Sequence, residues 1–217
     1  MKHFQQIITS HYQQQALTWI LSASEAPQPL LEPEFDITDD DGRYAKKIRN
    51  LSEADPSFWR QWFQLSGLNA LVGDHLSRPK LLRHAAFIKR HADESYIPLH
   101  QDIALWEKAY ESAVTFWIAL TPSRNENGGM FYCRSAETIY PHEFNLQYPM
   151  FKCIDVEKNR IPPESIVDAP LEAGDVLVWP ARTPHGSYMN TSGQLRIGMP
   201  VVFVDESEYQ KLNVRSQ

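Results

Sequence analysis

Two short motifs set a histidine and a carboxylate two residues apart: His91-Ala92-Asp93 and His100-Gln101-Asp102. In extended backbone, residues i and i+2 point to one face, so H-x-D presents an imidazole beside a carboxylate. A second imidazole from a distant segment completes a set of two His and one carboxylate. Such a set holds iron(II) from one side and leaves coordination positions open for a co-substrate and dioxygen. The tripeptide arises by chance often enough that its context must decide. His91-Ala92-Asp93 runs into the hydrophilic Glu94-Ser95 and reads as exposed. His100-Gln101-Asp102 lies between Tyr96-Ile97-Pro98-Leu99 and Ile103-Ala104-Leu105-Trp106, an apolar frame suited to a buried metal. Two histidines follow Asp102. His142 stands after Pro141 in a long irregular stretch, whereas His185 follows the strand-type run Asp175–Trp179 and a Pro-containing turn. His100, Asp102 and His185 are therefore the expected metal ligands.

A metal of this kind works with a co-substrate such as 2-oxoglutarate, whose distal carboxylate needs a buried cation. Arginine meets a carboxylate with a planar fork of donors. Arg196 opens the apolar run Ile197–Val204, and is either a strand-edge charge or such an anion receptor. Ser187, two residues past His185, offers a hydroxyl to the same carboxylate.

The elements that must position these residues fall into two parts. The first third reads as helical, with Phe4, Ile7, Ile8, His11, Leu17, Ile20 and Leu21 at three- and four-residue steps. Three prolines in Ala26–Pro33 end that helix. Asp36 to Gly42 reads as a solvated acidic turn; Asn50 stands where a calcium-binding EF-hand loop would need its closing glutamate. Asp55-Pro56 reads as an N-cap and first helical residue, and Phe58, Trp59, Trp62, Phe63 and Leu65 as mostly the buried side of that helix. After about Ser77, β-type runs appear at Ala85–Lys89, Ala113–Leu120, Met130–Cys133, Asp175–Trp179 and Arg196–Val204, separated by turn signals such as Asn127-Gly128-Gly129 and Ala173-Gly174-Asp175. The expectation is a mainly β protein with flanking α-helices: a helical part at 1–76, then an antiparallel sandwich or jelly roll at 77–205. Within it, 137–169 is a long insertion, either a lid over the site or a surface loop.

Composition narrows the class. The 217 residues, 42% hydrophobic, suffice for one well-filled core. A net charge of −6 with no basic run gives no reason to expect nucleic acid as a partner. Cys133 and Cys153 form no CxxC pair and are expected to be free thiols in a reducing compartment. No apolar run has the length of a membrane span and no signal peptide is legible, so a cytoplasmic location is expected. Oligomeric state is not legible.

Six short stretches together carry a family resemblance. They are P-L-H-Q-D at 98–102, W-I-A-L at 117–120, E-N-G at 126–128, A-G-D-V-L-V-W at 173–179, T-P-H-G-S at 183–187, and Asn190-Thr191-Ser192 with Arg196. In this order, over roughly residues 80–205, the chain resembles the phytanoyl-CoA dioxygenase-like family. The resemblance implies a double-stranded β-helix (jelly-roll, cupin-like) core, and Fe(II), 2-oxoglutarate and dioxygen as cofactor and co-substrates. It implies His100, Asp102 and His185 as iron ligands, Arg196 and Ser187 as the distal-carboxylate site, and Trp117 near the co-substrate. Lys89 matches a family lysine, as a co-substrate residue or a structural strand-end one. The implied reaction is hydroxylation of an aliphatic C–H bond of a small molecule, with release of succinate and CO2. Asp102 stands where related halogenases have a small residue, which disfavours halogenation. One departure is Cys133-Arg134-Ser135-Ala136, where the family commonly has P-G-S-H. That region flanks the substrate mouth, so no CoA ester is implied. Rival readings are a cupin-like metal lyase or isomerase without 2-oxoglutarate, a zinc hydrolase, and a non-catalytic binding module of the same fold.

Overall fold

Alternation of period two builds the larger of two sheets. In β4 (Pro79–Lys89), His84, Ala86 and Ile88 are buried on one face while Phe87 and Lys89 turn to the other. The same split runs through β6 (Val114–Ala119), with Phe116 and Ile118 opposite Trp117 and Ala119, and through β9 (Val176–Pro180), with Val176 and Val178 opposite Leu177 and Trp179. In β11 (Arg196–Asp205), Ile197, Met199 and Val201 share the first face. One set packs against helices and the other faces a second sheet, as the pleat requires.

The computed structural model describes residues 1–25, 32–38, 42–91, 94–134, 138–144 and 151–214. With β1 (Lys2–Phe4), β2 (Glu32–Thr38) and β3 (Gly42–Arg49), the large sheet has the order β1-β9-β6-β11-β4-β3-β2. The small sheet has the order β5-β10-β7-β8, from β5 (Ile97–His100), β7 (Met130–Cys133), β8 (Ile166–Ala169) and β10 (His185–Ser187). The strand pairs are antiparallel. The two sheets face each other as a jelly roll.

The outer face of the large sheet is covered by α1 (Ser10–Glu25), α2 (Leu51–Ala54), α3 (Pro56–Leu65) and α4 (Leu68–Gly73). Helix α1 buries Ala16, Ile20 and Ala23, four and three residues apart. Helix α3 starts where the sequence predicts: the Asp55 carboxylate accepts the Phe58 N–H at 3.1 Å, with Pro56 at the first position. Trp59 and Trp62 are its fully buried residues, and Trp62 Nε1 donates to Tyr12 O at 2.8 Å, tying α3 to α1. Truncating Trp59 to alanine in such a place costs roughly 3–5 kcal/mol. Two short helices complete the chain, α5 (Asp102–Leu105) and α6 (Glu206–Val214). Among the described residues no helix is long and apolar enough to cross a membrane.

The structure corrects several expectations. All five predicted β runs are strands, but the first third is not simply helical. Phe4 belongs to β1, and Ile7 and Ile8 precede α1. A β2–β3 hairpin occupies 32–49 and joins β4, so the division at 76/77 cuts through one sheet. The expected acidic turn at 36–42 thus contains strand ends; residues 39–41, like most of Ala26–Pro33, lie outside the described residues. Leu65 is exposed, because it sits at the end of α3 and off the Trp59–Trp62 face.

Candidate metal centre

His100 and His185 are brought together by strand pairing. His100 ends β5, His185 begins β10, and the two are register partners. Their ring centroids lie 4.4 Å apart. Asp102 is not on the strand, as the H-x-D argument assumes; it opens α5. The argument still holds through Gln101, whose backbone is extended (φ −117°, ψ 128°) and returns Asp102 to the side of His100. Asp102 Oδ1 lies 3.9 Å from each Nε2, and the candidate ligand atoms of the three residues are within 4.8 Å of one another.

Each imidazole is fixed from behind. His100 Nδ1 donates to Pro98 O and His185 Nδ1 to Thr183 O, both at 2.9 Å. Each bond sets the tautomer, so both Nε2 lone pairs point inward toward Asp102. The other carboxylate oxygen, Oδ2, accepts from Thr115 Oγ1 at 3.2 Å. Burial, with His185 close by, holds His100 well below the usual imidazole pKa, so it stays neutral. Two buried imidazoles and one oriented carboxylate match the donor set that iron(II) takes.

The other two histidines weighed above do not join. His91 is exposed and bonds Ser192 O at 2.7 Å through Nδ1; Ala92 and Asp93 lie outside the described residues. His142 Nε2 accepts the Gln101 N–H at 2.9 Å and its Nδ1 donates to Tyr140 O at 2.8 Å, so its lone pair is used.

Beside the triad the two sheets enclose a cationic corner. Lys89 pairs in register with Arg196, both buried. Lys89 Nζ crosses to the small sheet and donates to Ser187 Oγ at 3.0 Å, to Ser95 O at 2.7 Å, and to Tyr188 O. Arg196 lies over the Trp117 ring at 5.4 Å. Two glycines make the corner possible. A Cβ on Gly198 would lie 2.0 Å from Trp117 Cζ2, and one on Gly128 would lie 2.6 Å from Lys89 Cδ. Gly128 also has φ +88°, which a side chain disfavours. The E-N-G glycine is thus explained by the path of Lys89. The expected fork from Arg196 needs revision: Nε and Nη2 both donate to Gly128 O. The indole N–H groups of Trp117 and Trp179, buried between the sheets, have no acceptor among the described residues. Buried donors without acceptors fit a site for an acceptor-rich ligand such as a dicarboxylate.

Sequence reasoning missed Thr115 and Trp179. Trp179 lies 4.7 Å from the His185 ring, tilted by 49°, and pairs in register with Thr115. Their inward alternation along β6 and β9 is the signal that would have found them. A surface groove of about 670 Å³, lined among others by His11, Gln15, Trp19 and Phe58, belongs to the helical layer, on the far side of the large sheet. It offers no carboxylate and no second histidine.

Comparison with known proteins gives the family and the fold. The family model described as phytanoyl-CoA dioxygenase (PhyH) matches residues 6–198. The dioxygenase olcK of Penicillium canescens is 29% identical over 171 residues, 74% of this chain and 51% of that protein. The chain therefore spans about half the length of this curated relative. Among solved structures, EvdO2 of Micromonospora carbonacea var. aurantiaca, in complex with 2-oxoglutarate, superposes with a TM-score of 0.72 at 18% identity, covering 94% of this chain and 85% of that one. SnoK, a non-heme alpha-ketoglutarate-dependent carbocyclase from nogalamycin biosynthesis, gives 0.70 at 19% identity, covering 94% and 78%. The epimerase SnoN, solved with Fe3+, alpha-ketoglutarate and nogalamycin RO, gives 0.69 at 18% identity, covering 94% and 78%. At these identities the superpositions establish a shared fold.

Proposed function

The chain belongs to the phytanoyl-CoA dioxygenase family, and on that premise we propose that it is an Fe(II)- and 2-oxoglutarate-dependent oxygenase acting on a small molecule. The observation that carries this reading is the His100–Asp102–His185 triad, with both Nδ1 atoms anchored on carbonyls and Asp102 Oδ1 3.9 Å from each Nε2. Its neighbour supports the co-substrate. Lys89, Ser187, Arg196 and Trp117 converge between the sheets, and an anion there would meet two buried cations.

In this reading His100, Asp102 and His185 hold iron(II), and Arg196 with Ser187 and Lys89 holds the dicarboxylate. When bound, the metal, 2-oxoglutarate and dioxygen together supply an oxidant able to take hydrogen from an aliphatic C–H bond, leaving succinate and CO2. The protein's own work is positional. Pro98 O and Thr183 O keep the imidazoles in one tautomer, Thr115 turns the Asp102 carboxylate, and Trp117 with Trp179 keeps water from the inter-sheet space. The Nε–Nη2 edge of Arg196 is engaged by Gly128 O, so a carboxylate would approach from the Nη1 side.

Hydroxylation is the proposed outcome. Structures of the same fold include a carbocyclase and an epimerase, so the product depends on which substrate carbon is held near the metal. A cupin-like lyase or isomerase would not need the Lys89–Arg196 corner. The deciding experiment supplies the purified chain with Fe(II), 2-oxoglutarate and oxygen and measures succinate, alone and across a panel of small molecules. Succinate formation abolished by His185→Ala is expected. Full activity in that variant, or no 2-oxoglutarate turnover by the iron-loaded wild type under any condition, defeats the proposal.

A further inference from the structure

Gln101 is the middle residue of H-x-D, and its extended backbone sends its side chain away from His100 and Asp102. It is fully buried. Its Nε2 donates to Thr138 O at 2.8 Å and to Arg182 O; its Oε1 accepts the Tyr140 N–H at 2.8 Å. Two carbonyls on one side and an N–H on the other fix which way round the amide sits. Its backbone N–H goes to His142 Nε2 at 2.9 Å.

These bonds converge on the turn before β10. Three successive carbonyls there serve the triad: Ala181 O accepts the Ile103 N–H at 3.1 Å, Arg182 O accepts the Gln101 amide, and Thr183 O accepts His185 Nδ1 at 2.9 Å. The segment carrying His100 and Asp102 is thus fastened to the turn carrying His185 at the level of the ligands themselves. The same amide fastens the start of the 138–144 stretch to both.

We infer that Gln101 is a positioning residue for the metal: its amide sets the spacing of the His100–Asp102 pair against His185 and links that spacing to the docked 138–142 segment through His142. This rests on the metal reading of the triad proposed above. Neither residue touches the metal position, since Gln101 points away from it and the His142 lone pair is already used. An apolar residue at 101 would leave two part-buried carbonyls and one part-buried N–H without their partner, so the segments would separate until water fully reached those groups.

The test titrates Co(II), which is stable in air and reports ligand geometry in its visible bands, into the full chain without 2-oxoglutarate. Wild type, Gln101→Leu, Gln101→Glu, His142→Ala, His142→Gln and His100→Ala are compared, with thermal unfolding of each metal-free chain alongside. Gln101→Leu should bind Co(II) about 10- to 100-fold more weakly, as outer-shell substitutions do, with altered visible bands. Gln101→Glu should be at least as weak, because a carboxylate would face two carbonyls. His142→Ala should show a smaller loss, and His142→Gln, which keeps an acceptor for the Gln101 N–H, should recover most of it. Where Gln101 variants fail to fold, the His142 pair decides. Wild-type affinity and bands in folded Gln101→Leu, or in both His142 variants, would overturn the inference even if melting temperatures fall. Unchanged Co(II) binding by His100→Ala would instead defeat the metal reading itself.

Discussion

Arg196 answers to two partners. Its guanidinium holds Gly128 O through Nε and Nη2 and lies over Trp117, while its place beside Lys89 and Ser187 suits a carboxylate. Arg196→Lys keeps the charge but loses the fork, so the KM for 2-oxoglutarate should rise; Arg196→Ala should raise it further. Loss of a charge-assisted contact to a carboxylate corresponds to roughly 2–5 kcal/mol of binding. Because Gly128 O loses its donors in both variants, the melting temperature should also fall, whereas Co(II) affinity at the triad should hold. An unchanged KM in a folded Arg196→Ala chain removes Arg196 from the co-substrate site. Of the residues around the centre, the ionisable ones were legible in the sequence because iron and dicarboxylate chemistry demands them by type. Gln101 was not, since its partners are backbone carbonyls 37 and 81 residues away, and a carbonyl has no letter in a sequence.

The long insertion is an element with a back and a front. Tyr140, Ile154, Val156 and Ile161 pack with Leu99, Phe131 and Cys133 on the outer face of the small sheet, the side away from the triad. Ile154 N–H donates to Leu99 O at 2.7 Å, and residues 143 and 153 exchange backbone bonds at 3.0 and 2.9 Å. Only Phe151 among these described residues meets a ligand ring, edge-on to His100 at 5.0 Å. These parts are a cover for the sheet. We therefore predict that Ile154→Ala destabilises the fold by about 2–5 kcal/mol and that the Ile154 amide resists hydrogen exchange with or without 2-oxoglutarate. Fast exchange that slows only on ligand addition would restore the lid reading for this half. The elements that sequence found are those with apolar alternation and a turn glycine beside them, such as β7 after Gly128 and β9 after Gly174. Strands β1 and β10, three residues each with a histidine in both, carry no such pattern; only their neighbours define them.

At the scale of the molecule, His84 is a source of acid sensitivity that, unlike His100, lies away from the metal centre. His84 lies where β4 meets the helical layer, against Trp59 and Phe63, with Nδ1 2.7 Å from Ser52 Oγ. Burial pushes its pKa down to about 3. The unfolded chain regains the ordinary value near 6.5. Between these values the unfolded state binds the extra proton, so stability is highest above pH 6.5 and declines as pH falls. The full effect near pH 3 is roughly 4–5 kcal/mol. Urea unfolding from pH 7 to pH 4 should show this decline, and His84→Leu should make it shallower, leaving the share that His100 contributes. An identical pH slope in the variant would assign the acid sensitivity elsewhere.

The strand order has a consequence for how the chain is made. Strand β11 lies in the middle of the large sheet, with β6, β9 and β1 on one side and β4, β3 and β2 on the other. It is also the last strand in chain order among the described residues. During synthesis, each half has an open edge until residues 196–205 emerge, and open edges invite pairing with other chains. Arg196 arrives on that same strand. The growing polypeptide therefore gains its central joint and its proposed dicarboxylate anchor in one step, and a ribosome stalled before it leaves two half-sheets with an unfinished centre between them.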